Sequence, residues 1–149
     1  MVGGTTEREG KPLTMMQVAT PVKVHASLPP SPLASRAARE VIRPLQTEVP
    51  RGVFETLQLL MSELVTNGVR HGKRSAPVEL TVTMDDETVH AEVRNGRGAT
   101  VPRMSRPGER VDGGLGLILL DRLARRWGSD ADRDVVVWFD LPIAGGGGH

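Results

Sequence analysis

Glu63 and Asn67 lie one helical turn apart in Ser62-Glu63-Leu64-Val65-Thr66-Asn67-Gly68-Val69-Arg70-His71-Gly72. Residues at i and i+4 project side by side from a helix. A carboxylate and a carboxamide therefore share one edge, with Arg70 and His71 continuing it by another turn. That pairing suits Mg²⁺, a hard cation that takes oxygen ligands and keeps several of its waters. Asparagine supplies a neutral carbonyl oxygen, which adds no negative charge beside a phosphate. The glutamate can orient or deprotonate an incoming hydroxyl or water. Taken alone, the same spacing also describes a solvated helix edge, with Glu63 paired to Arg70 or a neighbour and His71 structural.

Two glycine segments add to the pair. Asn95-Gly96-Arg97-Gly98 follows a strand-like stretch, where glycine allows backbone to approach a planar ligand closely. Gly113-Gly114-Leu115-Gly116 precedes a helical pattern, and free N–H groups at a helix start favour phosphate. The first also reads as an ordinary turn and the second as a hinge. Neither matches a P-loop or a dinucleotide fingerprint: no Lys-Ser/Thr follows the second segment, and a polar loop rather than a strand precedes it.

These residues need elements to position them. Val53, Phe54, Leu57, Leu60, Met61, Leu64 and Val65 fall on one helical stripe, which predicts a helix from Val53 to about His71. Val22, Val24 and Ala26 alternate with polar residues as a half-buried strand does. Ser31-Pro32 reads as an N-cap and first helical position, opening a helix with Leu33, Ala37, Val41 and Ile42 inward. Pro44 should end or kink it. Alternation at Val78, Leu80, Val82 and Met84, and again at Val89, Ala91 and Val93, predicts a β-hairpin turning at Asp85-Asp86-Glu87. A polar loop over residues 100–112, a helix from Leu117 to about Arg126 and a last strand from Val135 to Leu141 complete the pattern. The sum is an α+β, two-layer sandwich: a mixed, mostly antiparallel sheet with helices on one face.

The 149 residues suffice for one domain with a core. Residues 21–143 are expected to form it, between a disordered tail at 1–20 and a flexible Gly-rich tail at 144–149. Lys+Arg 19 against Asp+Glu 18 gives net charge +1, which offers no case for nucleic acid as a direct partner. No run approaches the roughly 20 apolar residues that span a bilayer, and no charged-then-apolar leader opens the chain. Cysteine is absent, removing disulfides, thiolate catalysis and Cys-based zinc sites. The expectation is a cytoplasmic protein that does not engage a membrane.

Taken in order, these segments resemble the GHKL (Bergerat-fold, histidine-kinase-like) ATPase superfamily. The resemblance is strongest to anti-sigma-factor serine/threonine kinases and their actinobacterial ATP-binding relatives. Ser62 to Gly72 looks like the N box. Val93-Arg94-Asn95-Gly96-Arg97-Gly98 with Pro102 stands where the first glycine box belongs, and Gly113 to Leu117 looks like the second. Val137-Trp138-Phe139-Asp140-Leu141 is similar to the closing strand. The resemblance spans about Val22 to Leu141 and implies ATP and Mg²⁺ as cofactors under a lid at 100–112. It makes Asn67 the Mg²⁺ ligand and Glu63 the base that activates a serine hydroxyl on a partner. Gly114 and Gly116 would face the phosphates, and Arg70, His71, Asn95, Gly96, Gly98, Gly113 and Leu115 join the nucleotide-binding set. The implied partners are a sigma factor, a small antagonist protein that competes with it, or both. Relatives often pair through the sheet, so a homodimer is implied as well. The stand-alone length, without a dimerisation helix carrying a phospho-accepting His, favours the regulatory serine kinase branch.

Two departures stand out. Asn95 replaces the family's usual Asp, whose carboxylate accepts from the adenine amino group; Asn keeps an acceptor and adds a donor. ATP binding is expected to survive but weaken, with discrimination against guanine relaxed. In the last strand, Arg133-Asp134-Val135-Val136-Val137 lacks the family's Gly-rich turn and Thr, removing one polar contact from the pocket. Arg103, Arg106 and Arg110 fall in the expected lid and Arg122, Arg125 and Arg126 on the expected helix after it. They suit closure over triphosphate or an acidic partner surface, and equally a solvated basic face. Two functions of different class follow: a protein serine/threonine kinase with Glu63 as base, or a non-catalytic nucleotide-binding module that sequesters a sigma factor or related partner.

Overall fold

The computed structural model describes residues 22–71, 76–95, 115–130 and 134–144. The expected tail at 1–20, most of that at 144–149 and the expected lid at 100–112 lie outside the described residues. Strand β1, Val22–Leu28, begins the order. Helix α1, Ala34–Ile42, follows, and a short 3-10 helix, Arg43–Thr47, leads from it. Helix α2, Arg51–His71, then crosses the molecule. Strands β2, Val78–Met84, and β3, Thr88–Asn95, form a hairpin. Helix α3, Leu115–Leu123, precedes β4, Arg126–Asp130, and β5, Val135–Pro142. The five strands make one sheet in the order β1-β2-β3-β5-β4. All four pairings are antiparallel, so no parallel pair accompanies them among the described residues.

Alternation decides which sheet face is covered. Val78, Leu80, Val82 and Met84 of β2 are buried, as are Val89, Ala91 and Val93 of β3 and Val137, Phe139 and Leu141 of β5. They meet Leu57, Leu60, Met61, Leu64 and Val65 of α2 in one apolar cluster, to which Leu120 of α3 also belongs. Helices α1 and α2 pack on the sheet and on each other, and α3 packs against α2 and β4. The core is therefore mainly aliphatic, with Phe54 and Phe139 buried in it, as aromatics at 3% require.

The opposite face is polar and ordered in three rows that run across all five strands. They read Lys23–Thr83–His90–Asp140–Arg126, His25–Thr81–Glu92–Trp138–Gly128 and Ser27–Glu79–Arg94–Val136–Asp130. The hairpin turn is held by Asp85, whose Oδ1 accepts from the Glu87 N–H at 2.8 Å and the Thr88 N–H at 2.9 Å. Those two bonds favour the charged carboxylate and lower its pKa.

Three sequence expectations are corrected. Helix α1 starts at Ala34, not at Pro32: Ser31 Oγ accepts from the Leu33 N–H at 3.0 Å, which makes a turn ahead of the helix rather than an N-cap on it. The inner face accordingly carries Ala34, Ala38 and Ile42, while Leu33 is exposed and Ala37 and Val41 are half-buried. The helix expected to reach Arg126 ends at Leu123. Arg126 belongs instead to β4, an edge strand that the sequence did not predict, and Arg125 lies in the connection. Pro44 does what was expected, since the α-helix stops at Ile42 and a tighter 3-10 turn continues.

Candidate functional site

The C-terminal half of α2 sets the site. Its buried stripe holds the helix against β2, β3 and β5 and fixes how the neighbouring residues point. Glu63 is half-buried, and Asn67, one turn further, is buried at 6% exposure. Arg39 of α1 donates to Ser62 Oγ at 3.3 Å, tying the two helices beside Glu63. Arg70 is exposed and has an interaction of its own; His71 is the last residue of α2.

Asn95 closes β3 and is likewise 6% exposed. It comes up against α2 at Gly68. A β-carbon on residue 68 would stand 2.6 Å from Asn95 Oδ1 and 3.3 Å from Val78 Cγ1. The fold thus brings Gly68, the residue after Asn67, against Asn95 from two elements distant in sequence. Asn67 Nδ2 and Asn95 Oδ1 are buried without hydrogen-bond partners among the described residues. The register partner of Asn95 across the sheet is Val135, whose side chain has no polar group to offer. Buried polar atoms are nearly always bonded, and one left unmet costs about 1–3 kcal/mol. Each is an atom that a polar ligand entering here could satisfy.

A carboxamide carries an acceptor at one end and donors at the other, and a half-turn of its terminal torsion exchanges them. Asn67 can therefore present a neutral oxygen to a cation. Among the described residues no group of three or more His, Cys, Asp or Glu is arranged to hold a metal ion. Any ion here would take one side-chain oxygen from Asn67 and the remainder from phosphate and water, a donor set that fits Mg²⁺.

Leu115 and Gly116 open α3, which packs against α2. Gly96, Gly98, Gly113 and Gly114 lie outside the described residues. A separate open groove of about 750 Å³ is lined by Arg43, Gln46, Arg51, Phe54, Glu55 and Gln58 at the other end of α2 and shares no residue with this site.

Gly68 is the residue whose role the sequence did not reveal. A glycine inside a helix is less favourable than alanine by about 1 kcal/mol. That local cost was the available signal of a packing reason at this position.

No helix among the described residues is long and apolar enough to cross a membrane. The model of one protein family, the histidine kinase-like ATPase domain, matches residues 28–138, well over half of the chain. No curated protein matches it. Among solved structures, the chain is similar to the RsbU and RsbW domains of Rv1364c from Mycobacterium tuberculosis, at 19% identity and a TM-score of 0.61. The likeness covers 82% of this chain and 32% of that one, so this chain spans about a third of that chain's length. At that identity the likeness is one of fold, and it agrees with the α+β sandwich and its antiparallel sheet. With the family model covering both Asn67 and Asn95, the chain belongs to the histidine kinase-like ATPase domain family.

Proposed function

We propose that the chain binds Mg·ATP between α2, α3 and the end of β3 and acts as a regulator of anti-sigma-factor type, a protein serine/threonine kinase. The single observation that carries the nucleotide site is that Asn67 and Asn95 are both buried with an unmet polar atom, Asn95 lying against Gly68, the residue that follows Asn67. Asn67 holds Mg²⁺ through its carboxamide oxygen. Asn95 faces the base, with Gly96 and Gly98 after it. Gly113, Gly114, Leu115 and Gly116 offer backbone N–H groups to phosphate at the start of α3, and Arg70 and His71 border the site. Mg·ATP, when bound, supplies the phosphoryl group for transfer.

Glu63 lies one turn from Asn67 and is half-buried, which leaves its carboxylate accessible to a partner's serine or threonine. It accepts the hydroxyl proton as the oxygen attacks. The implied partners are a sigma factor and a small antagonist protein, with a homodimer paired through the sheet, and the setting is the cytoplasm. The folded unit covers residues 21–143. The family match, the sequence resemblance to anti-sigma-factor kinases and the fold likeness to an RsbW domain all support this reading.

A second reading, a non-catalytic module that sequesters a sigma factor or related partner, is favoured by Asn95 standing where the family has Asp. Radiolabelled ATP and the protein that co-purifies with the full chain from its host separate the two. Transfer to that protein by the wild type, lost in Glu63→Ala with Mg·ATP affinity kept, supports the kinase. Transfer at the wild-type rate in Glu63→Ala removes Glu63 from the chemistry, and no transfer by the wild type favours the binding module.

A further inference from the structure

Asp140 of β5 fixes the end of α3 twice. Its carbonyl oxygen accepts from the Arg125 N–H at 2.9 Å, just beyond the helix, and its carboxylate accepts from Arg126 Nη2 at 2.9 Å. Trp127 Nε1 then donates back to Asp121 Oδ1 of α3 at 3.3 Å, and Leu120 is buried in the cluster that holds the α2 stripe. The helix opens with Leu115 and Gly116, about 13 Å away along its nine residues. One short element therefore joins the polar row on the open face of the sheet to α2, on which Asn67 lies.

The Asp140 carboxylate is buried, and a buried charge needs partners. His90 supplies the second: its Nδ1 lies 2.6 Å from Asp140 Oδ1, while its Nε2 lies 2.9 Å from Glu92 Oε2. A charged ring donates to both carboxylates. A neutral ring has one N–H for two acceptors, so one contact must open. In either case Arg126, whose side chain is 71% exposed, becomes the only cation on Asp140 among the described residues. Thr83 faces His90 from β2, and Lys23 ends the row on β1. In the adjoining rows His25 lies 3.6 Å from Glu79 and Arg94 is paired with Asp134, so both are engaged elsewhere. Burial opposes the charge on the ring, and the bonds to Glu92 and Asp140, with their charges, outweigh it and raise the pKa.

We propose that His90 and Asp140 are positioning residues for nucleotide binding: charged His90 holds Asp140 against Arg125 and Arg126, and this clamp sets α3 against α2. Loss of the ring proton loosens the clamp and weakens Mg·ATP. The inference rests on the nucleotide-binding reading above and adds its regulation by protons, acting through the open face of the sheet.

Calorimetric titration of the full chain with Mg·ATP at about pH 6 and about pH 9 tests the coupling. The proteins are the wild type, His90→Gln, whose amide donates a hydrogen bond but does not titrate, and Trp127→Phe, which lacks the bond to Asp121. Between the two pH values the wild type is expected to lose about fivefold more affinity than His90→Gln, the lower end of coupling between sites. His71 is present in both chains, so its titration cancels in that comparison. Trp127→Phe should shrink the wild-type loss yet keep the pH dependence of urea unfolding that His90 confers, which separates positioning from stability. Equal profiles in wild type and His90→Gln, or the wild-type profile in Trp127→Phe, overturn the inference.

Amide exchange without nucleotide reads the clamp on its own. At about pH 6 the Arg125 N–H and those of the last turn of α3 should exchange several-fold faster in His90→Gln than in the wild type, with the α1 amides unchanged. Equal rates overturn the clamp. A wild type that binds Mg·ATP equally at both pH values overturns this inference and leaves nucleotide binding standing, whereas one that binds none at either overturns both.

Discussion

His90 Nδ1 lies 2.6 Å from Asp140 Oδ1 on the open face of the sheet, and the other oxygen of the same carboxylate accepts from Arg126 Nη2 at 2.9 Å. The three residues occupy one row across β3, β5 and β4. Asp140 is 4% exposed, and a buried carboxylate is tolerated only when it is paired and hydrogen-bonded. His90 is itself held on its other side by Glu92 at 2.9 Å and stacks on Trp138 with ring centroids 5.8 Å apart. The edge strand is thus tied to the sheet by charge as well as by its backbone ladder.

That row makes stability depend on pH in a definite direction. Burial opposes a charged His90, but hydrogen bonds to Glu92 and Asp140, reinforced by their charges, outweigh it and raise the imidazole pKa above its ordinary value. A raised folded pKa gives stability that is full below the unfolded value, near 6.5, and is lost as pH rises through the folded value. Urea unfolding of the wild type and His90→Gln at about pH 6 and about pH 9 checks this. The wild type should lead by more at the lower pH; a gap that stays constant or widens with pH contradicts it.

Gly128 lies under the Trp138 ring. A β-carbon there would meet Cζ2 at 2.9 Å and Cε2 and Nε1 at 3.0 Å. Alanine normally improves a strand over glycine by about 0.5–1 kcal/mol. Here Gly128→Ala should instead cost about 1–3 kcal/mol, because the ring must leave its seat on the edge strand. Thermal unfolding gives the sign directly, and a stabilised Gly128→Ala would show that the ring moves at no cost.

Leu60 is fully buried at the centre of the α2 stripe, one turn before Leu64 and next to the turn that carries Glu63. Leu60→Ala should lower stability by about 2–5 kcal/mol, measurable in urea. A loss below about 0.5 kcal/mol, the scale of surface substitutions, would mean that α2 is not held by this stripe.

How far the fold was legible follows from where each signal resides. The α2 stripe was plain because seven large apolar residues repeat at helical spacing, and the hairpin because period-two alternation flanks an acidic turn. Strand β4 was not, since Arg126-Trp127-Gly128-Ser129-Asp130 has one large apolar residue and a glycine. It is a strand because β5 offers a ladder edge and Trp138 needs the space over Gly128. The inner face of α1 was misplaced because Leu33 outweighs alanine in any apolar count, while the residues that this helix buries include the small Ala34 and Ala38. In the site, Glu63 and Asn67 were visible as local spacing. The meeting of Gly68 with Asn95, and the His90–Asp140–Arg126 row, are made by tertiary pairing and leave no local pattern.

The most direct test of the central claim is Mg·ATP binding by the full chain, with and without Asn67. Bound ligand stabilises a protein by about 2.7 kcal/mol at a hundredfold excess over its dissociation constant. The wild type should show that shift with ATP and Mg²⁺ together and a smaller one with ATP and a chelator, while Asn67→Ala should lose the Mg²⁺-dependent part. A wild type indifferent to Mg·ATP, or an Asn67→Ala chain that responds as the wild type does, would contradict it.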